Sequence, residues 1–231
     1  MVPGPFKMHE GITMASTGER ELQNISGKLE ELMQVVMQQF LSLKRGLENS
    51  DFPLLKKVVA DDEKVDAIEI DLDDLSMMFV ANRAPMGSSL RFMFGAMDVA
   101  SSLERIGDCI EYVARHIIES QELRTSCPEA WALMQDMVSK SFLVYERSIT
   151  SVSNKDPKLA ELVPAMDDAV DALQDQAYKL VIDNVRQKKL DVEIGIQVIL
   201  IANKLESIAD IACHVAQTVV YIVDDKRIRH Q

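Results

Sequence analysis

Pairs of carboxylates recur in this chain at matched positions about a hundred residues apart. Glu104 and Asp108 are four residues apart, and Glu206 and Asp210 repeat that spacing 102 residues later. Residues four apart lie on the same face of an α-helix, where two like charges destabilise the helix by about 0.2–0.5 kcal/mol. Because this unfavourable spacing occurs twice in the same form, we infer one common cause for both copies.

A second acidic pair precedes each of these motifs. Asp62 and Asp66 are four residues apart, and Asp167 and Asp171 repeat them 105 residues later. The acidic pairs therefore follow the same order in both halves of the chain. This order predicts an internal tandem repeat, in which the two halves adopt similar structures.

Apolar residues at helical spacing fill the segments between a small number of breaks. Turn-forming residues stand at 49–53, 82–89, 122–128 and 154–157, and Asp191 has the character of a helix cap. Only nine glycines and seven prolines occur in 231 residues, which is typical of a helical protein. The pattern predicts six long helices, of which the fifth runs without interruption over residues 157–186.

The six helices suggest two groups of three. We therefore predict an all-α fold of two tandem three-helix bundles related by the internal repeat, with long spectrin-repeat-like helices. The first bundle would cover residues 19–122 and the second residues 123–231. Residues 1–18 contain prolines and glycines without periodicity and are predicted to form a flexible N-terminal arm.

Charge and composition exclude several classes of protein. The net charge is −12, which argues against a nucleic-acid partner because such proteins need a basic surface. No apolar run is long enough to cross a bilayer, and residues 1–18 do not have the pattern of a signal peptide. The three cysteines lack metal-ligand spacing and indicate reduced thiols in the cytoplasm.

The acidic pairs fall outside the apolar seams of their helices. With Val65 and Leu103 at seam positions, both pairs of the first half lie on outer faces, and the second half behaves in the same way. If the second and third helices of a bundle are neighbours, their pairs would form one surface cluster of four carboxylates. Such a cluster suits a hard cation with oxygen ligands. The alternative is an acidic face that is only solvated. His214, four residues after Asp210, could join the second cluster as a ligand, but a lone histidine on a helix is more often a surface residue or one satisfied within the fold.

Several motifs resemble those of a known family. They are residues 62–66 (DEKVD), 81–91 (ANRAPMGSSLR), 103–108 (LERIGD) and 205–210 (LESIAD). In order and spacing these motifs are similar to those of the PhoU family of phosphate-uptake and phosphate-signalling regulators. The similarity extends over about residues 19–230 and implies two tandem three-helix bundles, in agreement with the helical pattern.

The resemblance also implies a function. It implies a cytoplasmic negative regulator of phosphate uptake and of the phosphate-starvation response, recruited to the inner face of the membrane through its partners. Those partners would be the ATPase subunit of the phosphate ABC transporter and a phosphate-sensing histidine kinase, and a homodimer is expected. Iron, manganese, magnesium or zinc ions would form multinuclear clusters. The implied metal ligands are Asp62, Asp66, Glu104, Asp108, Asp167, Asp171, Glu206 and Asp210.

Two other classes of function are less consistent with the residues. A di-iron oxidase would need Glu-x-x-His motifs inside a bundle, and the chain contains no such motif. A P-loop, a Rossmann fingerprint and a Ser/His/Asp arrangement are also missing, so we predict that the protein is not an enzyme. An accessory protein of a low-affinity phosphate transporter and a metal-free helical scaffold stay as alternatives.

Overall fold

The computed structural model describes residues 17–224, and this range is helical without strands. The all-α prediction is confirmed. Residues 1–16 of the predicted arm lie outside the described residues, and the first helix begins at Thr17. The helices are α1 (Thr17–Asn49), α2 (Phe52–Arg83), α3 (Ser88–Glu119), α4 (Leu123–Ser126), α5 (Pro128–Asn154), α6 (Pro157–Ala160), α7 (Pro164–Arg186) and α8 (Val192–Asp224).

Equivalent aspartates begin the helices that follow the first turn of each half. Asp51 Oδ1 accepts a hydrogen bond from Leu54 N at 3.0 Å, which caps α2. Asp156, 105 residues later, accepts from Lys158 N and Leu159 N at 3.0 and 3.1 Å. In each case a proline occupies the first turn of the helix. Backbone N–H groups in the first turn have no partner within the helix, so the absence of an N–H on proline costs nothing there. The repeat predicted from the sequence therefore extends to the helix caps.

The fifth predicted helix is interrupted, and the prediction of one continuous helix over residues 157–186 is wrong. The short helix α6 ends at Ala160, and α7 begins at Pro164. Proline has no N–H to donate and disfavours a helical conformation in the residue before it, so it starts a new helix here. The apolar periodicity continues across this break, which is why the sequence pattern concealed it.

Three long helices pack together in each half. In the first half they are α1, α2 and α3, and in the second half α5, α7 and α8. The halves also pack on each other, α3 against α8 and α1 against α5. One continuous core of buried apolar side chains runs through both halves. The domain boundary expected at residues 122 and 123 therefore stays a prediction.

Aromatic side chains join the two halves. The ring of Phe40 on α1 lies 5.3 Å from that of Phe142 and 5.7 Å from that of Tyr145, both on α5. The Tyr145 hydroxyl, which is fully buried, donates to the carbonyl of Met33 at 3.1 Å. These contacts fix α5 against α1.

Within residues 17–224, no helix is both long enough and apolar enough to span a membrane.

Candidate metal centre

The first acidic cluster lies where α2 and α3 approach each other closely. A Cβ atom added at Gly107 would lie 3.1 Å from Asp62 Oδ1 and 3.1 Å from Val65 Cγ1. That distance is shorter than ordinary van der Waals contact, so the glycine lets α3 approach the carboxylate of α2. The motif of residues 103–108 thus contributes a close helix contact as well as two carboxylates.

Three of the four predicted ligands meet at this contact. One carboxylate oxygen from each of Asp62, Asp66 and Asp108 lies within 4.8 Å of the others. In the part of the chain that the structure describes, this is the one group of three acidic, histidine or cysteine side chains that approach so closely. Glu104 is one turn before Asp108 on α3, near enough for the charges of the other three to affect its pKa.

The two clusters show the same pattern of exposure. Asp62, Glu104 and their counterparts Asp167 and Glu206 are half-buried. The other member of each pair is exposed. The prediction that all eight carboxylates lie on outer faces is therefore correct for four of them, and the remaining four lie partly within the contact between neighbouring helices. The four exposed carboxylates are Asp66, Asp108, Asp171 and Asp210.

Burial and mutual repulsion shift the titration of the first cluster. Loss of solvent raises the pKa of Asp62, Glu104 and Asp108, and the negative charges of their neighbours raise each pKa further. The Lys204 ammonium group, which belongs to α8 of the other half, partly offsets this effect at Asp108. The raised pKa values mean that this cluster binds protons, or another cation, more readily than isolated carboxylates do.

An amide from α1 supports one side of the first cluster. Gln39 is almost fully buried, and its Nε2 donates to Asp62 Oδ1 at 2.9 Å. This hydrogen bond opposes the rise in the pKa of Asp62 that burial causes. The sequence does not identify Gln39 as part of the site, because a glutamine on a helix of mixed composition carries no signal of its contact with an aspartate 23 residues away.

The second cluster lacks this amide. Asp167 Oδ1 is buried and has no hydrogen-bond partner among the described residues. Burial, followed by the charges of Asp171, Asp210 and Glu206, raises the pKa of Asp167 to about 6. The offset of 105 residues places Val144 at the repeat position of Gln39. The two halves therefore share a carboxylate arrangement but differ in how the half-buried aspartate is stabilised.

This difference gives a prediction about Gln39. We expect Gln39→Val to raise the pKa of Asp62 in the metal-free protein, because the substitution removes the hydrogen bond that favours the carboxylate. Titration of the side-chain carboxyl carbons by NMR would measure the change. The pKa of Asp167 in the same sample is the internal control and should not move. An unchanged pKa of Asp62 would contradict the role assigned to Gln39.

The residues present fit a hard metal ion. All the donors in both clusters are carboxylate oxygens, which magnesium, manganese and iron accept. Among the described residues, no positively charged group lies within hydrogen-bonding distance of the three converging oxygens of the first cluster. The same is true of the buried Asp167 Oδ1, which has no hydrogen-bond partner. The nearby thiols do not fit, because burial raises the pKa of Cys109 and raises that of Cys213 to about 12, so both stay protonated.

His214 lies away from the second cluster. Its Nε2 is 3.1 Å from Asp98 Oδ2 on α3, and Thr218 donates to the same oxygen at 2.6 Å. The structure thus assigns His214 to the contact between α3 and α8, which agrees with the expectation of a histidine satisfied within the fold and does not support the alternative of a ligand in the second cluster. His214 follows Asp210 by about one turn of α8, but it pairs with Asp98 of α3, whereas the charge of Asp210 acts on Asp167 of α7.

Comparisons with known proteins agree with the fold and the repeat. A family profile described as "PhoU domain" matches residues 29–117 and 134–219. The "phosphate-specific transport system accessory protein PhoU homolog" of Rhizobium meliloti is 24% identical over 90% of this chain and 87% of its own length. Homolog 1 of Thermotoga maritima is 23% identical over 91% and 90%.

Two solved structures share the fold. The crystal structure of PhoU from Pseudomonas aeruginosa superimposes with a TM-score of 0.84 at 24% identity, covering 90% of this chain and 99% of that one. The phosphate transport system regulatory protein PhoU from Streptococcus pneumoniae gives 0.73 at 17% identity, covering 93% and 100%. At these identities the superpositions establish the helical architecture.

Proposed function

The chain belongs to the PhoU family, and from that premise we propose that it is a metal-binding regulatory accessory protein of phosphate transport. The names of its relatives, which describe accessory and regulatory proteins of phosphate transport systems, support this role. They also favour an adaptor over an enzyme.

The observation that carries the proposal is the repeated carboxylate cluster. In each half, two acidic pairs on neighbouring helices are close enough for their charges to act on one another, and in both halves the same members are half-buried. In the first half, three of the carboxylates converge within 4.8 Å. A solvated acidic face would have no reason to place Asp62 and Asp167 partly out of water, where ionisation is costly. Bound cations offset that cost. The proposed ligands are Asp62, Asp66, Glu104 and Asp108 in the first half and Asp167, Asp171, Glu206 and Asp210 in the second.

The bound metal would neutralise the carboxylates and stabilise the contact between the helices that carry them. When bound, a hard cation supplies positive charge that offsets the repulsion among the carboxylates. The residues of the chain hold it in defined places: Gly107 keeps α3 close to α2, and Gln39 orients Asp62. Carboxylates can bridge two ions, so a multinuclear site containing iron, manganese, magnesium or zinc is consistent with four acidic groups in each half.

We further propose how the protein acts in the cell. It negatively regulates phosphate uptake and the starvation response by contacting the ATPase subunit of the phosphate ABC transporter and a sensor histidine kinase. It is cytoplasmic, forms a homodimer and reaches the inner face of the membrane through these partners. The net charge of −12 supports binding of basic protein surfaces over nucleic acid.

A phosphate-starvation reporter tests this role. Deleting the gene should switch the reporter on in cells grown with plentiful phosphate, and the wild-type gene should silence it again. We expect Glu104→Gln combined with Asp108→Asn to leave the reporter on, because the variant loses two of the four carboxylates that hold metal in the first half. Elemental analysis of the purified variant should show the loss of the metal bound to that half.

The matched control removes two exposed acidic groups from another helix. Glu129→Gln combined with Asp136→Asn on α5 changes the net charge equally and should silence the reporter as the wild type does. A reporter that deletion leaves unchanged would exclude the regulatory role and favour an accessory of a low-affinity transporter or a plain scaffold. Wild-type protein without stoichiometric metal, together with an unchanged reporter, would leave the metal-free scaffold.

A further inference from the structure

Large apolar side chains are exposed along the outer face of α2 and α3. Met77 on α2 and Phe94 on α3 are 55% and 56% exposed, although the core of both helices is well buried. Single exposed apolar residues are common in soluble proteins, whereas several on one side of two neighbouring helices indicate an interaction surface. We call this group the α2–α3 strip, and it consists of Ile70, Met77, Met86 and Phe94.

The acidic cluster fixes the relative positions of these residues. Helices α2 and α3 are joined by a short turn and run in opposite directions, and Asp66 lies beside Asp108. Met77 is 11 residues after Asp66, and Phe94 is 14 residues before Asp108. At about 1.5 Å per residue, the two side chains are about one helical turn apart along neighbouring helices. The strip therefore continues from the acidic cluster towards the α2–α3 turn, where Met86 is exposed.

The repeat places exposed apolar residues at equivalent positions of the second half. Ile182 and Ile196 lie 105 and 102 residues after Met77 and Phe94, and they are 45% and 50% exposed. Next to them α7 and α8 touch directly, because a Cβ added at Gly195 would lie 2.9 Å from Val181 Cγ1. Exposed apolar residues at matched positions in both copies are unlike a random scatter.

The charges around the two groups differ. Residues 65–82 of α2 contain five carboxylates and neither lysine nor arginine, although Lys28 of α1 pairs with one of them, Asp71. On α3, the segment between Arg91 and Arg105 contains no basic residue. The equivalent segment of the second half, residues 170–187, contains three carboxylates together with Lys179 and Arg186. The α2–α3 strip is thus an apolar surface with an acidic border, and its complement is an apolar surface with a basic border.

We propose that the α2–α3 strip is the docking surface for an amphipathic helix of a partner protein, with an apolar face flanked by lysines or arginines. The apolar face covers Met77 and Phe94, and the basic flanks lie against Glu69, Asp73 and Asp74, which are outside the metal-binding carboxylates. This assignment deepens the proposed adaptor function, since it names the chemistry of the partner segment that the adaptor would hold.

Binding of a synthetic helix tests the proposal. The probe is a fluorescent 18-residue peptide with leucines on one face and lysines on both flanks, titrated with the full chain at physiological salt. Fluorescence anisotropy gives its affinity for wild-type protein. We expect Met77→Gln combined with Phe94→Gln to weaken binding by about tenfold or more, because central apolar anchors contribute most of the affinity of such contacts.

The repeat offers a matched control. Ile182→Gln combined with Ile196→Gln makes the equivalent change in the second half and should leave the affinity within about twofold. A second peptide keeps the leucines and replaces the lysines with glutamates, and it should bind about tenfold or more weakly than the first. All four altered side chains are exposed, so thermal unfolding should confirm that both variants are folded.

Three results would overturn the proposal. One is equal loss of affinity in the strip variant and the control variant, and another is equal binding of the two peptides. The third is a strip variant that changes a dimer to a monomer in sedimentation while its affinity for the peptide stays unchanged, which would identify a second copy of this chain as the occupant. The reporter separates the two proposals: deletion without effect on the reporter removes the phosphate role, whereas peptide results concern the strip alone.

Discussion

Replacing Phe40 with alanine is expected to lower the free energy of unfolding by about 3–5 kcal/mol. The ring is fully buried and packs against Phe142 and Tyr145, so its removal leaves a cavity between α1 and α5. The neighbouring side chains cannot readily move to fill this cavity, because Tyr145 is held by its hydrogen bond to the carbonyl of Met33. Denaturation in guanidinium chloride, followed by circular dichroism, would measure the loss.

Phe94→Ala is the matched control for this experiment. It removes the same atoms from a side chain that is more than half exposed, so we expect a change within about 0.5 kcal/mol. A loss below about 1 kcal/mol in the Phe40 variant would contradict the view that this ring joins the two halves. Because the core is continuous, we also expect both halves to unfold in one transition.

Asp167→Asn is expected to raise the free energy of unfolding of the metal-free protein at pH 7.5 by about 1–2 kcal/mol. Burial raises the pKa of Asp167 from 3.8 to about 6 in the folded state, so the folded protein binds this proton more tightly than the unfolded chain. The resulting stability is fully present below pH 3.8 and is lost as the pH rises through about 6. The shift corresponds to about 3 kcal/mol, which we reduce because the carboxyl is only partly buried and solvent screens its charge.

The comparison needs two pH values and a chelator. Unfolding of the wild type and of Asp167→Asn in EDTA should differ at pH 7.5 and converge well below pH 3.8, where the carboxyl is protonated in both the folded and the unfolded state. Asp168→Asn, which alters the exposed neighbouring residue, should change stability little at either pH. A difference between wild type and Asp167→Asn that does not depend on pH would show that ionisation of Asp167 does not determine the effect.

Much of the fold could be predicted because local sequence carries it. The apolar seams through Val65 and Leu103 specify which helix faces are buried, and Asp51 and Asp156 specify where helices begin. The acidic pairs are recognisable in the sequence because residues four apart always lie on the same face of a helix. Interruption of the fifth helix was missed because Pro164 lies within an apolar pattern that is consistent with a continuous helix.

Features that depend on distant contacts could not be predicted from local patterns. Heptad positions describe one helix at a time, so they assigned Asp62 to an outer face although α3 covers part of it. The contact between Gln39 and Asp62 joins different helices, and so does the contact between His214 and Asp98. Neither contact has a signature in residue spacing.

The sequence by itself determined the all-helical class, the repeat and the grouping of carboxylates into pairs, because helical periodicity and capping act over a few neighbouring residues. The tertiary structure decided which pairs meet, how far each carboxylate is removed from water and which half supplies an amide to its aspartate. These properties depend on the distance between helices, and Gly107 sets that distance through a contact with α2. The chemical difference between the two clusters arises at this level, since Asp62 accepts a hydrogen bond from Gln39 and the buried oxygen of Asp167 accepts none among the described residues.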